Sequence, residues 1–345
     1  MSLARAITTG DLTQLPSRRD EDWRWSDLRG LIRVLPAPSP AHIGAGTPGP
    51  FAGLSNREVV IVNGYGPAAI KVAAGETQTL ALRFIAARDA GAHVARTAIE
   101  VDAGATLTLL ESYEGEGTDY VVERDLAISV AKGARLERVI IAGDDQDAVS
   151  VSRADIGLGP GATLAQTVLT HGGKRQRLET HVAHPGAEAS VRLDGVYVLG
   201  AKRHADLTTV VTHAGANGVT DQLTKGVVNG QARGVFQGRI VVSPGADQTD
   251  AKMGHHALVL SDRAEVDAKP ELEIYADDVA CAHGNTVGAL DDDALFYARQ
   301  RGIPEAEARA MLIGAFLGEV VDRIEHDGAR GVARAWLAEQ LGTRP

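Results

Sequence analysis

The sequence predicts a mainly β protein with a β-helix (β-solenoid) core, flanked by N-terminal and C-terminal helical segments. A Gly-Ala pair recurs at positions 104, 133, 161, 186, 215 and 245, with a period of roughly 28 residues, as in repeat architectures. Most copies precede β-branched or alternating stretches such as "LERVIIAG", which are typical of strands. Aromatic residues make up only 4% of the chain against 39 glycines, so a core of Val, Leu, Ile and Ala inside a narrow bore is expected.

The first segment, residues 1–50, is predicted to be a helical segment followed by a Pro/Gly linker. The stretch "DEDWRWSDLRGLI" places Trp25, Leu28 and Ile32 on one face of a helix, at spacings of three and four. Such a stripe is expected to dock onto the next domain. The linker is "LPAPSPAHIGAGTPGP", whose Pro and Gly residues interrupt regular structure.

The second segment, residues 55–288, is the predicted β-helix. Helix signals are nearly absent here, and turn signals return at a fixed period. A sandwich or a double-stranded barrel is the rival all-β interpretation, because turns of this density fit it as well.

The third segment, residues 289–345, is predicted to be a C-terminal helical domain. Asp291 is a candidate N-cap, Gly302 a stop signal and Pro304 the opening of a second helix, and "ARGVARAWLAEQL" predicts a third. Such helices are expected to cap the open end of the solenoid and to offer a binding face to a partner.

Composition excludes several classes of protein. The formal net charge of −10 argues against nucleic-acid binding, which needs a basic surface. No apolar run reaches the roughly 18 residues of a membrane span, and the N-terminus lacks the apolar core of a signal peptide. With a single cysteine no internal disulfide can form, so a cytoplasmic location is expected.

That single cysteine lies in "ADDVACAHGNTVG", where Cys281 is two positions before His283. Residues two apart in a strand share a face, so the thiol and the imidazole are expected side by side. The pair could form a nucleophile and its base, supply two ligands to zinc or iron, or simply pack.

A complete metal site needs three or four protein ligands, and the chain has no second cysteine. His255 and His256 are the nearest further candidates, as auxiliary ligands. Neighbouring strand residues face opposite ways, so at most one of them could join. Any site at Cys281 and His283 would therefore need ligands from another chain.

The run from "ARGVFQGRIVV" to "DDDALFYARQRGI" resembles the SufB/SufD family of iron–sulfur cluster assembly proteins, and Gly284 after the histidine is similar to the SufD form. The likeness is strong over residues 230–325 and weaker over 15–30 and "HADLTTVVTHAGANGVTDQLTKGVV". One departure is "MGHHALVLS", where many members have an Asn-rich phrase. SufB-like chains carry a sulfur-accepting cysteine at the comparable place, and this chain has none there.

The resemblance implies a β-helix core between helical domains and a role as a SufD-like, non-catalytic scaffold subunit. Such a chain pairs with a SufB-like protein and binds the SufC-like ATPase through its C-terminal helices, which predicts docking at Met311, Ala315, Leu317 and Val321. A transient iron–sulfur cluster forms at the SufB–SufD interface and none is held stably by this chain alone. His283 is then the interface ligand, sharing the metal with the partner chain, and Cys281 is its neighbour. Without that partner, an uncovered edge strand could give a homodimer.

Two other functions stay open from the residues. The first is a Cys–His transferase acting through Cys281, with Asp277 or Asp278 as the orienting group. The second is a solenoid that binds or cleaves acidic carbohydrate. The nine acids and one lysine from Glu265 to Asp293 disfavour the latter.

Overall fold

The computed structural model describes residues 1–41 and 47–342. In that part of the chain, two parallel sheets form a β-helix of about eight coils, which confirms the predicted fold class. The strands of sheet A are β1 (Ala37–Pro38), β3 (Ala69–Val72), β5 (Gly91–Val101), β7 (Val121–Val130), β9 (Val149–Leu158), β11 (Arg175–His184), β13 (His204–His213), β15 (Arg233–Val242) and β17 (Glu265–Ile274). The strands of sheet B are β2 (Arg57–Val62), β4 (Thr77–Ala86), β6 (Thr106–Gly115), β8 (Arg135–Gly143), β10 (Thr163–Thr170), β12 (Ser190–Leu199), β14 (Val219–Val228), β16 (Asp250–Val259) and β18 (Ala280–Gly288).

The Gly-Ala repeat marks the corner that leads into sheet B. Gly104-Ala105 and Gly133-Ala134 immediately precede β6 and β8. Both glycines have a positive φ, 68° and 63°, which a residue with a side chain rarely adopts, and both alanines are buried. The Gly104 N–H donates to the Lys132 carbonyl one coil further on, at 3.1 Å. The repeat is therefore set by the turn, and each coil adds one strand to each sheet.

The bore between the sheets is not purely aliphatic. Arg138 lies inside it and donates through Nε to Glu111 Oε1 at 2.5 Å and through Nη1 to Gln166 Oε1 at 2.7 Å. Phe84 and Tyr113 pack edge to face in the same interior, with ring centroids 5.6 Å apart. The expectation of a bore filled by Val, Leu, Ile and Ala alone is wrong, because paired charges and rings share it.

The N-terminal segment covers the outer face of sheet A. It contains α1 (Leu3–Thr9) and single 3-10 turns at Leu12–Gln14 and Glu21–Trp23. The α-helix predicted through Trp25, Leu28 and Ile32 is wrong: these residues lie in turns, although Leu28 and Ile32 are buried as a docking stripe would be. Residues 42–46 of the predicted linker lie outside the described residues.

The C-terminal helices are α2 (Asp292–Gln300), α3 (Glu305–Val321) and α4 (Asp327–Gln340). Asp291 caps α2 as predicted, accepting from the N–H groups of Asp293 and Ala294, and Gly302 follows with φ 84°. Leu317 and Val320 of α3 pack in one apolar cluster with outward residues of sheet B. The helices therefore cover the side of the β-helix rather than its end, which corrects the expected cap. None of the described helices has the length and apolar character needed to cross a bilayer.

Candidate functional site

The candidate site lies at the C-terminal end of the β-helix. Among the described strands, β18 pairs only with β16, and β17 pairs only with β15. Each therefore has one edge whose backbone N–H and C=O groups have no strand partner. The inward side of this last coil is also uncovered, with Val287 48% and Ile274 42% exposed.

Cys281 and His283 lie on the inward side of β18. The in-register ladder places Cys281 beside Ala251 and His283 beside Met253. Ala251 and Met253 are buried in the bore, and neighbours across a ladder point the same way. Cys281 is half-buried and His283 is exposed, because no further coil covers them. The structure thus brings the two residues to one face, open to the surroundings.

A shallow cavity of about 380 Å³ opens beside His283. Met253, Gly254 and Gly284 line it along the strands, and Arg323, which follows α3, is paired there with Asp221. Lys252 and Ala282, which also line it, belong to the outward face of these strands, so most of this cavity lies on the side opposite to the inward face of Cys281 and His283.

Cys281 is not set up as a nucleophile. Its side chain packs against the last apolar cluster of the bore, which includes Phe236 and Met253. Burial raises the pKa of the Cys281 thiol, and the nearby Asp250 carboxylate acts in the same direction. A catalytic thiol needs the opposite shift, so this geometry does not favour the transferase hypothesis.

The two candidate orienting groups of that hypothesis are also either exposed or hydrogen-bonded elsewhere. Among the described residues no hydrogen bond or ion pair reaches the His283 ring. Asp277 is exposed, and the Asp278 carboxylate accepts from Gln248.

His255 and His256 point to opposite faces of β16. The His255 ring is buried and stacks on Phe236, with centroids 4.8 Å apart. Its Nδ1 is 2.7 Å from Asn285 Oδ1 and its Nε2 is 3.0 Å from the Tyr197 hydroxyl. Burial lowers the pKa of His255 to about 4. Both ring nitrogens are therefore used inside the bore, while His256 faces outward with Nδ1 2.7 Å from Thr286 Oγ1.

The residues present do not complete a metal site. In the described part of the chain no group of three or more His, Cys, Asp or Glu side chains could hold a metal ion. Cys281 and His283 are two potential ligands on an open edge, and further ligands would have to come from another molecule.

The four residues predicted for ATPase docking do not share one face of α3. Met311 is 54% exposed and Ala315 is also exposed. Leu317 and Val321 are fully buried against sheet B, so a partner cannot contact them while α3 stays in place.

Two exposed aromatic residues on α2 were missed by sequence reasoning. Phe296 and Tyr297 are each 61% exposed, and Arg301 lies over the Tyr297 ring at 5.1 Å. Exposed aromatic residues are typical of protein interfaces. The signal available in the sequence was two adjacent aromatic residues in a chain that has few.

Comparison with known proteins places these features in a family. The family model described as "SUF system FeS cluster assembly, SufBD core domain" matches residues 84–316, more than half of the chain. That span runs from within β4 to α3 and includes Cys281 and His283.

Individual proteins that are similar to this chain carry names from the same family. The iron–sulfur cluster assembly protein SufD of Escherichia coli is 31% identical over 244 residues, covering 70% of this chain and 58% of that protein. An iron–sulfur cluster assembly SufBD family protein of Synechocystis is 28% identical, covering 69% of this chain and 55% of the relative. One from Mycobacterium leprae is 32% identical, covering 61% and 55%. The chain thus spans little more than half the length of these relatives.

Proposed function

This chain belongs to the SufBD family of iron–sulfur cluster assembly proteins, and on that premise we propose that it is a SufD-like, non-catalytic subunit of a cluster assembly scaffold. Its partners are a SufB-like chain and a SufC-like ATPase, and it works in the cytoplasm. The cluster is the product that passes through the complex, and this chain alone does not hold it.

The observation that carries the proposal is the open C-terminal end of the β-helix. Cys281 and His283 lie on the inward face of the last coil, on the edge strand β18 and across the bore from the edge strand β17, and each of these strands has free backbone groups along one edge. A partner chain with its own β-sheet can pair with such an edge by strand addition. The same contact would bury Val287 and Ile274, whose exposed apolar surface otherwise faces water.

The chemistry at this end suits a shared ligand set. The His283 imidazole is exposed and makes no hydrogen bond within the described residues, so a nitrogen is free to bind iron. The Cys281 thiol lies on the same face but is partly buried with a raised pKa. We therefore assign His283 as the ligand offered to the cluster and Cys281 as a neighbour that shapes the edge.

The ATPase is assigned to the exposed side of the C-terminal helices. Met311 and Ala315 on α3 and Phe296 and Tyr297 on α2 are exposed, whereas Leu317 and Val321 hold α3 on the β-helix. Truncation after Arg301 would uncover sheet B, so point variants such as Met311→Glu and Tyr297→Glu are the sharper test. We expect each to weaken ATPase co-purification and to leave the melting temperature unchanged.

The proposal is tested by co-purifying the chain with SufB-like and SufC-like partners and reconstituting clusters anaerobically. His283→Ala should leave the three-protein complex intact and reduce cluster formation, followed by visible absorbance, at least about tenfold, because a ligand is lost. His256→Ala is the matched control, since it removes a histidine from the outward face of the neighbouring strand.

Two results would contradict the proposal. If no complex forms with either partner, the scaffold role is wrong. If His283→Ala and His256→Ala form clusters equally well, His283 is not the ligand, although the partner assignment stands.

A further inference from the structure

A second cavity lies far along the molecule from β18, between the N-terminal segment and the outer face of sheet A. Its volume is about 690 Å³ and it is open to solvent on one side. Five of its nine lining residues are arginines and one is an acid; the lining residues are Ser17, Arg18, Arg19, Asp27, Arg29, Gly30, Leu31, Arg33 and Arg175. In a chain with a formal charge of −10, this is a concentrated patch of positive charge.

These arginines are not paired with carboxylates. In the part of the chain that the structure describes, none of the five forms an ion pair, whereas Arg177, two residues from Arg175 on the same strand, pairs with Asp206 at 2.8 Å. The single acid of the cavity, Asp27, uses Oδ1 to accept from the Gly30 N–H at 2.8 Å. Within the described residues, the cavity therefore carries four exposed arginines without an ion pair, whereas the charge of Arg175 is partly balanced by the Asp27 and Asp206 carboxylates.

Arg175 is the most informative of the five. It is half-buried at the base of the cavity, where Nη1 donates to the Trp25 carbonyl at 3.1 Å. Its Nε is buried and has no hydrogen-bond partner in the structure. Burial and the neighbouring Arg233 lower the pKa of Arg175, so its charge is held at a cost in free energy. Arg175 thus adds a partly buried positive charge beside the exposed arginines of the cavity, and this concentration of charge favours an anionic ligand.

We propose that this arginine cavity binds a small anion that carries at least two phosphate groups. Planar guanidinium groups match phosphate oxygens with paired hydrogen bonds, and several of them facing one space favour a ligand of multiple charge. The volume accommodates a molecule of nucleotide size. The inference is independent of cluster assembly, since none of these residues contacts the open end of the β-helix.

The test is isothermal titration of the full chain with inorganic pyrophosphate at low salt, with citrate as a non-phosphate anion of similar charge. We expect saturable 1:1 binding of pyrophosphate and binding of citrate at least about tenfold weaker. The double variant Arg18→Gln/Arg33→Gln should weaken pyrophosphate binding at least about tenfold, because two charged donors are removed. Both side chains are exposed, so the fold should tolerate the change.

The matched control is Arg5→Gln/Arg57→Gln, which removes the same charge from exposed arginines outside the cavity. Its affinity for pyrophosphate should stay within about twofold of the wild type, as expected when two surface charges outside the site are screened. Pyrophosphate should also raise the melting temperature of the wild type and of this control, but not of Arg18→Gln/Arg33→Gln. The proposal is overturned if the wild type does not bind, if both double variants lose affinity equally, or if citrate binds as tightly as pyrophosphate.

Discussion

The inward side chains of the outermost strands are buried at one end of the β-helix and exposed at the other. In the first coil, Ile61, Ile70 and Val72 are at most 1% exposed, and the turn after β2 folds back so that Gly66 lies against Ile61. In the last coil, Ile274 and Val287 are more than 40% exposed and His283 has no cover. A solenoid end normally needs a cap to remain soluble. One end is closed by the chain itself, whereas the described residues leave the other end open.

The largest difference should appear when apolar side chains are shortened at each end. Ile61→Ala should lower the free energy of unfolding by about 2–5 kcal/mol, because it leaves a cavity in a closed core. Val287→Ala should cost below about 1 kcal/mol, because much of that side chain already contacts water. Urea denaturation followed by circular dichroism measures both. Equal costs would mean that the two ends do not differ in packing.

The next effect concerns association at the open end. Ile274→Lys/Val287→Lys should shift any self-associated chain to the monomer and weaken binding of a SufB-like partner at least about tenfold, because charge is placed in an apolar contact. Size-exclusion chromatography with light scattering measures this. Val219→Lys, on an exposed residue of the outer face of β14, is the control and should change neither. Unchanged assembly of the double variant would show that the open end is not the contact.

A smaller effect is expected on acidification. Burial lowers the pKa of His255, near the open end, and of His93, on β5, each to about 4. An imidazole in the unfolded chain has a pKa of 6.5. Above pH 6.5 both states of the protein hold these histidines neutral, and the free energy of unfolding is at its full value. As the pH falls towards 4 the free energy of unfolding decreases, because the unfolded chain binds the protons first. His255 holds Asn285 of the edge strand β18, so protection of the β18 amides from hydrogen exchange should fall first.

The measurement is hydrogen exchange at pH 7 and pH 5, corrected for the intrinsic rates. In β18 the loss of protection should disappear in His255→Gln, whose side chain does not titrate. The strand β5 is paired on both sides and should lose less protection at pH 5. Equal losses in β5 and β18 would remove the distinction between the ends.

The smallest effect concerns the reactivity of the Cys281 thiol. Because the pKa of Cys281 is raised, its thiolate fraction at pH 7 is below that of a free cysteine, and iodoacetamide should label it more slowly than glutathione. The rate should rise with pH beyond pH 9. Asp250→Asn should speed labelling slightly, since a neighbouring negative charge is removed. Rapid labelling at pH 7 would revive the transferase hypothesis.

Local signals in the sequence predicted much of the fold. The Gly-Ala corners could be predicted because Gly104 and four of its five equivalents, all but Gly215, have a positive φ that few residues tolerate. The Asp291 cap and the Gly302 stop depend on neighbouring residues only. Strand alternation likewise predicted that Cys281 and His283 share a face.

Features that depend on distant contacts were not predictable. Trp25 lies in a turn rather than a helix, because its carbonyl accepts from Arg175 and His204, more than 140 residues away. The apolar stripe of α3 is broad, so its pattern did not indicate which residues face sheet B. In the structure Leu317 faces sheet B and Met311 faces solvent. The exposure of His283 depends on which coil is last, which no local pattern encodes.

The N-terminal segment has a consequence for how the molecule comes apart. A stack held only by contacts between neighbouring coils can fray one coil at a time. Here the Ala4 N–H donates to Glu123 on β7, Ser26 donates to Asp206 on β13, and Glu21 pairs with Lys269 on β17 at 2.7 Å. A single continuous stretch thus contacts coils near both ends, and loss of the last coil also breaks a contact of the first residues. We therefore expect unfolding of the last coil to be coupled to release of the N-terminal segment.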